Sequence, residues 1–131
     1  MYKLGVFERD DSFRGLMRAS LQDTDHSVEF EASSYRQAML AIERMALGEV
    51  AVDALLVGEL RPRNAQQDIV DVFRAIRQVE TLDRIPIIGL LDETTNVANI
   101  DVIALDRQPK GRFWDALPML LDTLATMNTL R

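Results

Sequence analysis

Short apolar runs alternate with longer amphipathic stretches along the whole chain, and the alternation predicts five strands each followed by a helix. Tyr2–Phe7 reads as the first strand. Ser12 is placed to cap a helix running to about Gln22, with Phe13, Leu16, Met17 and Leu21 on one face. Ser27–Phe30 is a short second strand. Ser33 or Ser34 caps the next helix, which carries Met39, Leu40, Ile42 and Leu47, and Gly48 offers its C-terminal stop. Asp53–Val57 is the third strand, with the continuous apolar run expected of a strand buried on both faces. Ile69, Val72, Phe73, Ile76 and Val79 then form one helical stripe from about Gln66 to Glu80. Ile85–Leu91 is the fourth strand, with Pro86 tolerated near its start. Asp92–Asn99 is polar and weakly helical, and Ile100–Leu105 is the fifth strand. Arg112–Met127 is the last helix, with Phe113, Leu117, Leu120, Leu121 and Leu124 inward and Pro118 bending it or delaying its start. Met39, Met45, Met119 and Met127 fall on helices and read as core filling.

Strict βα alternation argues a parallel sheet with right-handed crossovers and helices on both faces. The fold class is therefore α/β, a flavodoxin-like three-layer αβα sandwich. Its five-stranded parallel sheet takes the order 2-1-3-4-5 and carries five helices. With 131 residues, residues 1–131 suit one domain with a real core. The sequence has no internal repeat and no low-complexity linker.

Charge and composition narrow the function. A formal net charge of −6 with scattered arginines disfavours direct nucleic-acid binding, which needs clustered cations. No apolar run approaches the roughly 18 residues of a membrane span. The chain enters a strand directly, without a basic and then apolar leader, so a cytoplasmic location is expected. Cysteine is absent, which excludes disulfides and thiolate metal sites.

In sheets of this order ligands bind beyond the C-terminal strand ends, near the switch between the first and third strands. That edge takes in Glu8–Asp11, Gly58–Pro62, Leu91–Glu93 and Asp106–Pro109. Its carboxylates (Glu8, Asp10, Asp11, Glu59, Asp92, Glu93 and Asp106) suit Mg²⁺ chemically, or simply face water. His26 is the sole histidine and falls in a polar turn, which leaves little basis for a histidine-dependent triad or a zinc site. The segment after the first strand has no glycine, against a phosphate-cradling loop.

Leu4–Arg9 with Arg14 and Leu16, Asp53–Pro62, Ile85-Pro86-Ile87-Ile88 and Gln108-Pro109 together carry a resemblance. Over its whole length the chain resembles a bacterial response-regulator receiver domain, the CheY-like form of this sandwich. Receivers characteristically place an acidic pair after strand one, a phospho-accepting Asp after strand three and a proline four residues later. They have Thr or Ser after strand four, an aromatic in strand five, and a Lys-Pro pair after it.

Position by position, the resemblance puts Glu8 and Arg9 at the acidic pair and Gly58, counted from Pro62, at the acceptor. Leu91 falls at the hydroxyl position, Leu105 at the aromatic, and Gln108 before Pro109 at the lysine. Glycine has no carboxylate to phosphorylate. Arg9 puts a fixed positive charge beside the metal position, where it could pair with Glu8 in place of the ion. Leu91 cannot hydrogen-bond a phosphoryl oxygen, Gln108 supplies no cation, and Leu105 has no ring. The expectation is a degenerate pseudo-receiver: no enzyme, no metal, no cofactor.

Two other registers stay open. Sliding strand three by one residue puts Glu59 at the acceptor position and makes the chain a conventional Mg-dependent receiver, though Pro62 and strand alternation count against this. A longer first loop makes Asp10-Asp11 the acidic pair, though helix capping explains acids there equally well.

The resemblance implies a phosphorylation-independent interaction module acting as a homodimer or against a partner or effector domain. The expected interface runs over the fourth helix, fifth strand and fifth helix: Asp92, Val97, Leu105, Arg107, Arg112, Trp114, Asp115 and Asp122. A finer resemblance is to the N-terminal domains of sigma-54-dependent flagellar regulators, carried by Gly58-Glu59-Leu60-Arg61, Ile85–Leu91 and the helix after Pro109. It would make these residues one part of a longer transcription regulator. A flavodoxin-like enzyme or nucleotide sensor is the third possibility.

Overall fold

The computed structural model describes residues 2–60, 65–91, 103–106 and 113–129. The elements are β1 (Lys3–Phe7), α1 (Asp11–Leu21), β2 (Ser27–Ala32), α2 (Tyr35–Ala46), β3 (Ala54–Val57) and α3 (Ala65–Gln78). A 3₁₀ turn (Glu80–Leu82), β4 (Ile87–Leu91), β5 (Ile103–Asp106) and α4 (Phe113–Thr129) complete them. The strands form one parallel sheet in the order β2-β1-β3-β4-β5, as the alternation predicts. Four α-helices lie among the described residues. The expected helix over 92–99 lies outside them.

Helices cover both faces of the sheet. Phe7, Leu55, Val57 and Ile87 pack with α2 and α3 on one face. Leu4, Val6, Leu56, Ile88 and Leu90 pack with α1 and α4 on the other. Every residue of β3 is fully buried, which explains its uninterrupted apolar run. Burying each such Val or Leu contributes about 1.5–3 kcal/mol.

Local chemistry sets the helix ends. Ser34 caps α2, its hydroxyl accepting from the Gln37 N–H at 3.1 Å. At the other end Gly48 takes φ 77°, which only glycine adopts without steric cost. Its N–H donates to Met45 O and the Glu49 N–H to Arg44 O, a Schellman closure. α1 begins two residues earlier than a cap at Ser12 predicts. Asp10 is its cap, accepting from the Phe13 N–H at 3.0 Å.

β1 and β2 slip register between Leu4, which faces Val28, and Gly5, which faces Phe30. Glu29 is the extra residue, so Val28 and Phe30 serve opposite cores despite their spacing of two. Gly5 makes room for this. A Cβ there would sit 2.7 Å from Phe30 Cζ and 2.8 Å from Leu55 Cδ2.

Three apolar residues expected inward are not. Leu16 is 53% exposed, Met119 71% and Met127 51%. Met45 is buried and Met39 packs against the core, as expected. In a helix flanking a sheet only the central stripe reaches the core. Met119 falls on the face of the helix opposite Leu117 and Leu121, and Met127 at the margin of their stripe.

Candidate functional site

The strand-end edge between β1 and β3 is built by main-chain bonds that run past the strands. Phe7 faces Val57, and the Gly58 N–H donates to Phe7 O at 2.7 Å. The Glu8 N–H donates to Ala32 O and the Arg9 N–H to Glu59 O, both at 2.9 Å. Gly58 thus directly continues β3, and Glu8, Arg9 and Glu59 lie around it.

Glu8 is fully buried. Its Oε1 accepts from the Glu59 N–H at 3.3 Å and its Oε2 from the Asp10 N–H at 3.2 Å. A buried carboxyl needs such partners, because desolvation without them costs several kcal/mol. Arg14 donates from Nη1 to Glu8 O at 3.1 Å, tying α1 to the same turn. Glu8 therefore acts as a staple between the loops after β1 and β3.

Arg9 pairs with Glu59, not with Glu8. Its Nη2 lies 3.2 Å and its Nε 3.3 Å from Glu59 Oε1. Successive residues at a strand end point to opposite sides. Glu8 turns inward to backbone donors, and Arg9 reaches across to the end of β3. The pair is partly exposed, so its contribution to stability is small. Its consequence is spatial: it holds the Arg9 guanidinium against the end of β3.

The remaining acids have local duties. Asp10 caps α1, and Asp11 pairs with Arg14 one turn along. Glu31 accepts Arg18 Nη1 at 2.5 and 2.6 Å and stands 3.4 Å from Arg14 Nε. Among the described residues no group of three His, Asp or Glu side chains is placed to hold a metal.

The other expected positions are known by their backbone or lie outside the described residues. Leu91 ends β4 opposite Asp106, and Leu105 sits in β5 opposite Leu90. Trp114 and Asp115 fall in the first turn of α4. Pro62, Asp92, Glu93, Val97, Arg107, Gln108, Pro109 and Arg112 lie outside the described residues.

Asp122 is an exposed side chain on α4, and it already has a partner within the fold. Its Oδ1 lies 2.7 Å from His26 Nε2. His26, expected in a polar turn, is instead buried at the start of β2. Its Nδ1 accepts the Tyr2 N–H at 3.1 Å. No local signal marks this, because the partners are 24 and 96 residues away.

No family model matches the sequence, and no curated protein matches it. Solved structures do match over nearly the whole chain. The phosphorylated cyanobacterial phytochrome response regulator RcpA aligns with a TM-score of 0.74 at 12% identity, over 96% of this chain and 95% of that one. A response regulator in its Mn(2+)-bound form aligns at 0.67 and 14%, over 92% and 91%. The N-terminal domain of a response regulator/sensory box/GGDEF three-domain protein from Carboxydothermus hydrogenoformans aligns at 0.65 and 16%, over 98% and 97%. The chain has the receiver fold, the flavodoxin-like sandwich of response regulators. Among the described residues no helix is long and apolar enough to cross a membrane.

Proposed function

We propose that this chain is a receiver-type signalling module that works by protein contact, without phosphoryl transfer. The observation carrying this reading is Gly58. It continues β3 at the place of the acceptor, with its N–H bonded to Phe7 O and no side chain to esterify. The neighbouring acids are engaged: Glu8 by backbone donors, Glu59 by Arg9. The fixed charge of Arg9 opposes a divalent cation there. Two relatives in fold were solved phosphorylated or with Mn(2+). This chain keeps their architecture, and its residues at those positions disfavour both ligands.

The module acts as a homodimer or against a partner or effector domain, through β5, α4 and the segment between β4 and β5. Exposed Met119 and Met127 add apolar contact area on α4, the helix that also carries Trp114, Asp115 and Asp122. One relative in fold is the N-terminal domain of a three-domain protein. A comparable place at the head of a cytoplasmic transcription regulator fits the finer sequence resemblance.

The test is sedimentation and amide NMR of the chain with and without Mg²⁺ and beryllofluoride. The association state and the amides of Glu8, Gly58 and Glu59 are expected to be unchanged. Saturable shifts at those amides, with a change in association, would identify a conventional receiver using Glu59 or another carboxylate.

A further inference from the structure

We propose that His26 is a proton-operated clamp between the start of the sheet and α4. The ring's side chain is only 2% exposed, and its two nitrogens make opposite demands. Nδ1 accepts the Tyr2 N–H at 3.1 Å, so it carries no proton. Nε2 faces Asp122 Oδ1 at 2.7 Å, so it carries one and donates it. The ring in this structure is therefore the neutral Nε2–H tautomer. One side chain, just before β2, joins the residue before β1 to the middle of α4.

A second proton can go only onto Nδ1, where it meets the N–H of Tyr2. Two donors then face each other, and the Tyr2 bond must break. The same proton strengthens the contact to Asp122, which becomes a charge-assisted ion pair. Protonation thus exchanges an attachment to β1 for a tighter attachment to α4.

The ionisable groups around the ring come from three directions. Asp122 on α4 faces Nε2. Arg18 on α1 lines the same polar cleft of about 270 Å³ with Thr24 and Ser27, its guanidinium held by Glu31. The phenol of Tyr2 presents its ring at 82° to the imidazole, with centroids 6.2 Å apart. Asp25 precedes His26 in sequence and is exposed. Among the described residues the Tyr2 N–H is the one group whose bond requires the neutral ring. The clamp does not depend on how the module is used, but α4 belongs to the interface proposed above. Proton binding at one end of the sheet would therefore be felt there.

The test is a pH titration of the chain by NMR. It follows the His26 ring nitrogens, the Tyr2 amide and the α4 amides 120–125. The expected result is one shared midpoint, with Tyr2 amide exchange rising about tenfold as its hydrogen bond is lost. His26→Gln keeps a donor for Asp122 but cannot titrate, and it is expected to abolish the transition at both Tyr2 and α4. Asp122→Asn keeps the neutral pattern but cannot form the ion pair, so the α4 amides are expected to respond less to ring protonation. A Tyr2 amide indifferent to ring protonation overturns the proposal. So does an α4 transition that survives in His26→Gln, or one that is undiminished in Asp122→Asn.

Discussion

Replacing Gly5 by alanine adds one methyl group at a crowded point of the sheet. That carbon would lie 2.7 Å from Phe30 Cζ, 2.8 Å from Leu55 Cδ2 and 3.0 Å from Phe30 Cε1. Comfortable carbon contacts begin near 3.5 Å, so both side chains must retreat by roughly 0.7 Å or more. Leu55 has no room, because it is fully buried beneath α2 and α3. Phe30 is half-buried and can swing outward, but only by giving up its contact with Phe7, whose ring centroid is 5.9 Å away. Overpacking of this kind costs about 1–3 kcal/mol. Removing a glycine's unfolded-state freedom returns about 0.5–1 kcal/mol. The net expectation is a destabilisation of about 1–2 kcal/mol, read as a urea midpoint lower by roughly 0.5–1 M. The Phe30→Ala variant supplies the control. In the double variant Gly5→Ala should cost at least about 1 kcal/mol less than it does alone. A Gly5→Ala protein as stable as the parent, or strict additivity in the double variant, would refute the assignment of Gly5 to making room for Phe30.

Three further outcomes follow from the same geometry. Glu8→Ala strands the N–H groups of Asp10 and Glu59; urea unfolding should show a loss of about 2–4 kcal/mol, with Glu8→Gln losing less. Ser34→Ala removes the cap of α2 and should cost about 1 kcal/mol by the same assay, with Ser34→Asp close to neutral. Gly58→Asp restores an acceptor carboxylate but leaves Arg9, Leu91 and Gln108 in place. It is expected to remain unlabelled by acetyl phosphate and Mg²⁺, as read by intact mass.

The parts of the fold legible in the sequence were those written in local periodicity. The buried run of β3 and the stripe Ile69–Ile76 of α3 fix their elements by pattern alone. Their alternation with turn signals fixes the parallel sheet and its order. What escaped depends on contacts distant in the chain. α1 starts at Asp11 because buried Glu8 takes the Asp10 N–H, which sets the turn before the helix. Either Asp10 or Ser12 could have capped it on chemistry alone. The bulge at Glu29 leaves no mark in the sequence, since Val28 and Phe30 look like same-face neighbours. His26 looked like a turn residue because its partners are Tyr2 and Asp122. The resemblance leaves Arg9 free to pair with Glu8 in place of an ion, but strand alternation sends it to Glu59. Side-chain pairing at the strand ends is a tertiary property, and local pattern does not encode it.

The central claim is that the residue crowning the middle strand cannot take up a phosphoryl group. Intact-mass spectrometry after incubation with acetyl phosphate and Mg²⁺, beside an ordinary aspartate-bearing receiver, tests it most directly. The unmodified mass is predicted for this chain while the control labels. A stoichiometric phosphoryl adduct mapping to Glu59 or Glu8 would contradict the account.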